Sequence, residues 1–146
     1  MFGRILKSGS GNVTVEAAFM FLVISATSLG AFELGRIFYE KSHLENVVKA
    51  GVQFSLLGQT SASDVTKIVA AATLAAGESA DQITITATSA CECPGEGPLD
   101  CSESCSDDNF PQMLVTVTAE RDLDLVFNLP GLTSSHLSAV ASVRVR

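Results

Sequence analysis

This chain is short of the groups that most enzymes use. Histidine occurs only twice, as His43 and His136. His43 falls on the polar side of a predicted helix and His136 near a predicted turn, both positions typical of surface residues. GxSxG, HExxH, P-loop and GxGxxG patterns are all missing, and so is the redox motif CxxC. No catalytic residue is therefore assigned, and the chain does not read as an enzyme. Basic residues are scarce as well: 9 Lys and Arg stand against 16 Asp and Glu, a formal charge of −7. Nucleic acid requires a basic footprint, so no nucleic-acid partner is expected. Proline is absent before Pro94, which leaves the first half free to be helical. Charge is absent from residues 17–32, a run of 16.

What is present is unevenly distributed. The 146 residues suffice for one ordinary domain with a core, and 47% are apolar, many of them near the start. Arg4 and Lys7 are the only charges in the first 11 residues. Extending the uncharged run back to Val13 gives a 20-residue apolar stretch with one acid, Glu16, near its beginning. About 20 predominantly apolar residues are enough to span a bilayer. Lys and Arg are balanced on the two sides, Arg4 and Lys7 before the run and Arg36 and Lys41 after it, so they do not orient it.

Two plain readings of the stretch exist. One is a cleavable signal peptide, with Ala26, Thr27 and Ser28 as the small residues before a cut. The other is a signal anchor with Glu16 at the headgroup boundary. A cleavable signal has no use for an acid, and an ionisable group inside a membrane usually has a partner.

The four cysteines, Cys91, Cys93, Cys101 and Cys105, lie within 15 residues in the pattern C-x-C-x7-C-x3-C. A zinc ribbon would pair two short knuckles across a longer spacer, which fits this spacing poorly. Disulfides in an oxidising compartment fit an export-like N-terminus better, and they place the cysteine side of the span outside the cytoplasm. Of the three possible connectivities, Cys91–Cys93 with Cys101–Cys105 makes short rings that strain disulfide geometry. The nested and interleaved pairings remain, and spacing does not choose between them. Glu92, Glu96, Asp100, Glu103, Asp107 and Asp108 surround these cysteines. Calcium, which takes six to eight oxygen ligands, is one expectation for this loop; a solvated acidic loop is the other, because the EF-hand pattern is missing.

The start resembles the processing site of type IV pilin-like proteins: a basic leader, Gly11, "NVTVE", then an apolar helix. The resemblance implies cleavage by a prepilin peptidase between Gly11 and Asn12, so that Glu16 is the fifth residue of the mature chain. "VEAAFMFLVI" followed by "FELGRIF", with Glu33, Gly35 and Arg36 close together, is similar to the TadE-like pseudopilins of tight-adherence (Flp-type) pili. Asn12 departs from the aromatic first residue of the broader type IV pilins. The resemblance implies a minor structural pilin with other pilin or pseudopilin subunits as partners. It would sit in the bacterial inner membrane with a periplasmic head before reaching the extracellular pilus. Glu16 would then set register by pairing with the α-ammonium of a neighbouring Asn12. The alternative is an exported, disulfide-stabilised surface adhesin or binding module with an ordinary signal peptide.

The organisation that follows has three parts. Residues 1–11 form the leader. Residues 12–58 form a helix of about 70 Å at 1.5 Å per residue, with about 13–33 in the membrane and the rest projecting. Residues 59–146 form an α+β head. In the projecting half Leu44, Val47, Val48, Gly51 and Phe54 or Ser55 recur at helical spacing, and Glu45 and Lys49 form an i,i+4 pair. Gly58 is the expected stop, and Ser61 or Ser63 the expected N-cap of a second helix from residue 64 to about 76. Alternating runs predict strands from Gln82, from Met113 and from His136, with a cysteine loop at 91–105 and a turn in "NLPGLTSS". Fold class is thus α+β: a long apolar helix with a small antiparallel sheet, pilin-like.

Overall fold

A computed structural model describes residues 10–57, 64–93, 95, 97–101, 103–106, 111–129 and 132–145. Arg4, Lys7, Gly58, Ser61, Ser63, Glu96, Asp107 and Asp108 lie outside the described residues. Helix α1 is Ser10–Ser55 and α2 is Val65–Ala76, followed by a 3₁₀ segment at Gly77–Gln82. The strands are β1 (Thr84–Cys93), β2 (Gly97–Leu99), β3 (Gln112–Leu129) and β4 (Leu132–Val145). They form one antiparallel sheet in the order β2-β1-β3-β4. This is the expected α+β arrangement of a long apolar helix and a small antiparallel sheet. The chain divides into two compact units, Met1–Ile37 and Phe38–Arg146.

Within the second unit the sheet has one covered and one open face. Along β3, Val115, Val117, Ala119 and Leu123 are buried, so the covered face follows odd numbers. The register brings Ile85, Ala87 and Ser89 of β1, and Ala139, Ala141 and Val143 of β4, onto the same face. Leu44, Val47 and Val48 of α1 and Ile68, Ala72 and Ala76 of α2 complete the core. Gly51 and Ser55 are buried with them, so the helical spacing of this stripe matches the side that α1 buries. Packing at Gly51 is tight: a Cβ there would stand 3.2 Å from Ala72 Cβ and 3.3 Å from both Val117 methyls. Ser55, fully buried, donates its hydroxyl to the Val52 carbonyl at 2.7 Å and so leaves no polar group unpaired.

Several boundaries differ from expectation. Helix α2 is capped by Asp64, whose Oδ1 accepts from Lys67 N–H at 3.2 Å, rather than by Ser61 or Ser63. The hydrogen bond from Lys67 holds the Asp64 carboxyl below its ordinary value. Gln82 belongs to the 3₁₀ segment, and β1 starts two residues later but runs on to Cys93. Two of the four cysteines therefore lie on a strand rather than in a loop. The wide turn expected at 128–135 contracts, because β3 extends to Leu129 and β4 starts at Leu132, with Leu129 paired to Leu132. Cross-strand pairing gives these residues partners that no local pattern announces.

Candidate membrane helix and disulfide-bonded loop

The first candidate site is the N-terminal part of α1. Every residue from 13 to 32 is exposed. Phe19, Met20, Phe21, Leu22, Val23 and Ile24 are consecutive and 44–71% exposed, so the apolar surface runs all round the helix. A core helix of a water-soluble protein shows an apolar stripe; an apolar circumference is what a lipid environment accepts. Val13–Ser55 is long and apolar enough to cross a membrane, a test that a signal sequence also passes. Thr27, one of several hydroxyl residues in this region, donates its hydroxyl to the Val23 and Ile24 carbonyls at 3.0 and 2.9 Å. Its polarity is thereby satisfied within the helix.

Gly11 and Asn12 both lie in the first turn of α1, which starts at Ser10. Glu16 is exposed and one helical turn beyond Asn12. Glu33 and Arg36 form an i,i+3 pair at 3.8 Å.

The second candidate site is the cysteine loop. Cys91 is bonded to Cys101 and Cys93 to Cys105, which is the interleaved pairing. All four cysteines are thus in disulfides, as their spacing favoured over a zinc site. Cys91 and Cys93 are two apart on β1 and share its covered face, where both are buried. Gly95 and Gly97, at φ 88° and 96°, occupy left-handed conformations as the chain reverses, and β2 then pairs with residues 91–93. Glu92 points to the other face and pairs with Arg144 at 2.8 Å. Among the described residues no group of three His, Cys, Asp or Glu could hold a metal ion.

A third feature was not anticipated. Arg121 occupies a covered-face position of β3, where the alternation calls for an apolar side chain. It donates to Glu40 Oε2 of α1 at 2.5 Å and also to Gln82 Oε1. Both ion-pair partners are largely enclosed, at 14% and 16% exposure. Arg121 was detectable as the single charge in the series Val115, Val117, Ala119, Arg121, Leu123; Glu40 carried no such signal. The pair lines an open pocket of about 370 Å³ together with Tyr39, His43 and Glu78. His43 is accordingly half-buried, whereas His136 lies on the open face with Nδ1 2.8 Å from Asp122 Oδ1. Glu45 and Lys49, the expected i,i+4 pair, are 3.7 Å apart on α1.

Compared with known protein families, with characterised proteins and with solved structures, the chain matches none.

Proposed function

We propose that this chain is a membrane-inserted structural subunit of the TadE-like pseudopilin kind, cut after Gly11 by a prepilin peptidase and assembled with other pilin subunits. One observation carries the reading: an apolar helix exposed on all sides over residues 13–32 holds a single carboxylate, Glu16, one turn after Asn12. Cleavage at Gly11 creates an α-ammonium on Asn12. In a low-dielectric assembly that charge needs a counter-charge, and a neighbouring subunit's Glu16 supplies it only when the helices are staggered. Leaving one member of such a pair alone costs about 3–5 kcal/mol, so the pair favours one register.

The two disulfides support an oxidising location for the head, in keeping with the periplasm and then the cell exterior. Minor pilin function in pilus biogenesis and surface adherence follows from the same reading.

N-terminal sequencing of the mature protein, purified from a host with its peptidase, tests this. A start at Asn12 is expected. A start near Leu29 or Ala31 would instead identify an exported adhesin or binding module released by signal peptidase, and an intact Met1 a simple signal anchor.

A further inference from the structure

The outer edge of the sheet offers a second route to assembly, separate from the apolar stretch at residues 13–32. Among the described residues β4 has a strand neighbour on one side only. Which backbone groups it leaves open can be deduced. Glu92 pairs with Pro98, and a proline has no N–H, so this is a non-hydrogen-bonded pair. The backbone groups of Glu92 therefore point to β3, and even-numbered residues of β1 bond to even-numbered residues of β3 through the register Glu92↔Gln112 to Thr84↔Glu120. Odd residues of β3 then bond to odd residues of β4, from Val115↔Val143 to Arg121↔Leu137. The N–H and C=O groups of His136, Ser138, Val140, Ser142 and Arg144 are left pointing outward along the edge. An independent contact agrees: Lys41 Nζ donates to the Ser138 carbonyl oxygen.

We propose that this edge docks the β4 strand of a second copy of the chain, in an antiparallel ladder centred on Val140 and guarded by Lys41. The edge is self-complementary in phase. Residues with outward backbone groups all carry their side chains on the open face, so an antiparallel β4–β4 pair keeps the open faces of both copies on one side. The antiparallel alternative with the β1 edge does not, because its outward groups belong to the covered-face residues Ile85, Ala87 and Ser89.

Centring on Val140 sets that residue, 62% exposed, against its own copy. Ser138 then faces Ser142, and His136 faces Arg144. Arg144 already reaches across β3 to Glu92. The same reach in the other direction brings it to the partner's Asp122, which is 78% exposed beside His136. Each end of the ladder thus joins a cation to a carboxylate.

Lys41 is what holds the edge closed. The Ser138 carbonyl it occupies is the acceptor that Ser142 N–H of the second copy requires. A lysine at an open edge is a common guard against unregulated strand pairing.

The test uses the full chain in membranes. Val140→Cys should yield a disulfide-linked dimer on a non-reducing gel, and Thr118→Cys, on the same face but on inner strand β3, should not. Lys41→Met added to Val140→Cys should raise the dimer several-fold. Ser142→Pro added to it should abolish the dimer, because it removes only an outward N–H and leaves the ladder to β3 intact, as retained circular dichroism would show. Ala141→Pro, which removes a bond to β3, is the contrasting variant that loses the fold. Absence of the Val140→Cys dimer, its persistence with Ser142→Pro, or a cross-link to a protein of different mass would each overturn the proposal.

Discussion

Arg121 shows what a single charge does to a sheet that is otherwise apolar on one face. Its guanidinium ties β3 to α1 through Glu40 and to the 3₁₀ segment through Gln82. Arg121→Ala leaves the Glu40 carboxylate enclosed without its cation. Chemical denaturation of the full chain in detergent should show a loss of about 2 kcal/mol. Replacing both partners by apolar residues should recover most of that loss, because the penalty lies in the orphaned charge. His136 makes the opposite case, an exposed pair. The hydrogen bond that the His136 imidazole donates to the Asp122 carboxylate raises the imidazole above its ordinary value of 6.5. A raised folded value contributes stability fully below the unfolded value, and that contribution disappears as pH rises through the folded value. Amide protection factors in the β3–β4 hairpin, taken relative to the intrinsic exchange rate at each pH, should therefore be higher at mildly acidic pH than above neutrality, and Asp122→Asn should remove the difference.

At the scale of elements, packing depends on one close approach and two cross-links. Gly51→Leu would drive a side chain into Ala72 and Val117 where even a Cβ is tight. A loss of about 1–3 kcal/mol is expected by the same denaturation measurement. The disulfides act more locally. They close sequence separations of 10 and 12 residues, for which chain-entropy arguments give about 3 kcal/mol each. β2 has only three residues and pairs only with 91–93, so it depends on these bonds. Reduction should release β2 while β1, β3 and β4 remain paired, a difference that hydrogen exchange read by mass spectrometry resolves segment by segment.

For the whole molecule the relevant contrast is between insertion and assembly. Ile24→Lys places a charge in the middle of the exposed apolar stretch, at a cost of about 2.5–3.5 kcal/mol on insertion scales. It should shift protein from the membrane fraction to the soluble or degraded one. Glu16→Ala should leave membrane fractionation unchanged and abolish incorporation into pili. Equal incorporation of Glu16→Ala and the unaltered chain would remove the proposed register role.

The sequence by itself determined the features that rest on local periodicity and composition. The uncharged run, the stripe Leu44, Val47, Val48 and Gly51, and the alternation on either side of Val117 each report the face that a segment must bury, because side-chain direction repeats with the backbone. Chemistry between distant residues was not available in that way. Interleaved rather than nested disulfides, the β2 strand inside an apparent loop, the Asp64 cap and the Glu40–Arg121 pair all depend on which segments meet. The same is true of the open edge of β4: its residues were visible as an alternating run, but whether their amides face a neighbour or solvent is decided only by register across three strands. Local pattern selects the element and its buried side; tertiary pairing selects the partner, since contact energies between residues far apart in the chain leave no periodic trace within either one.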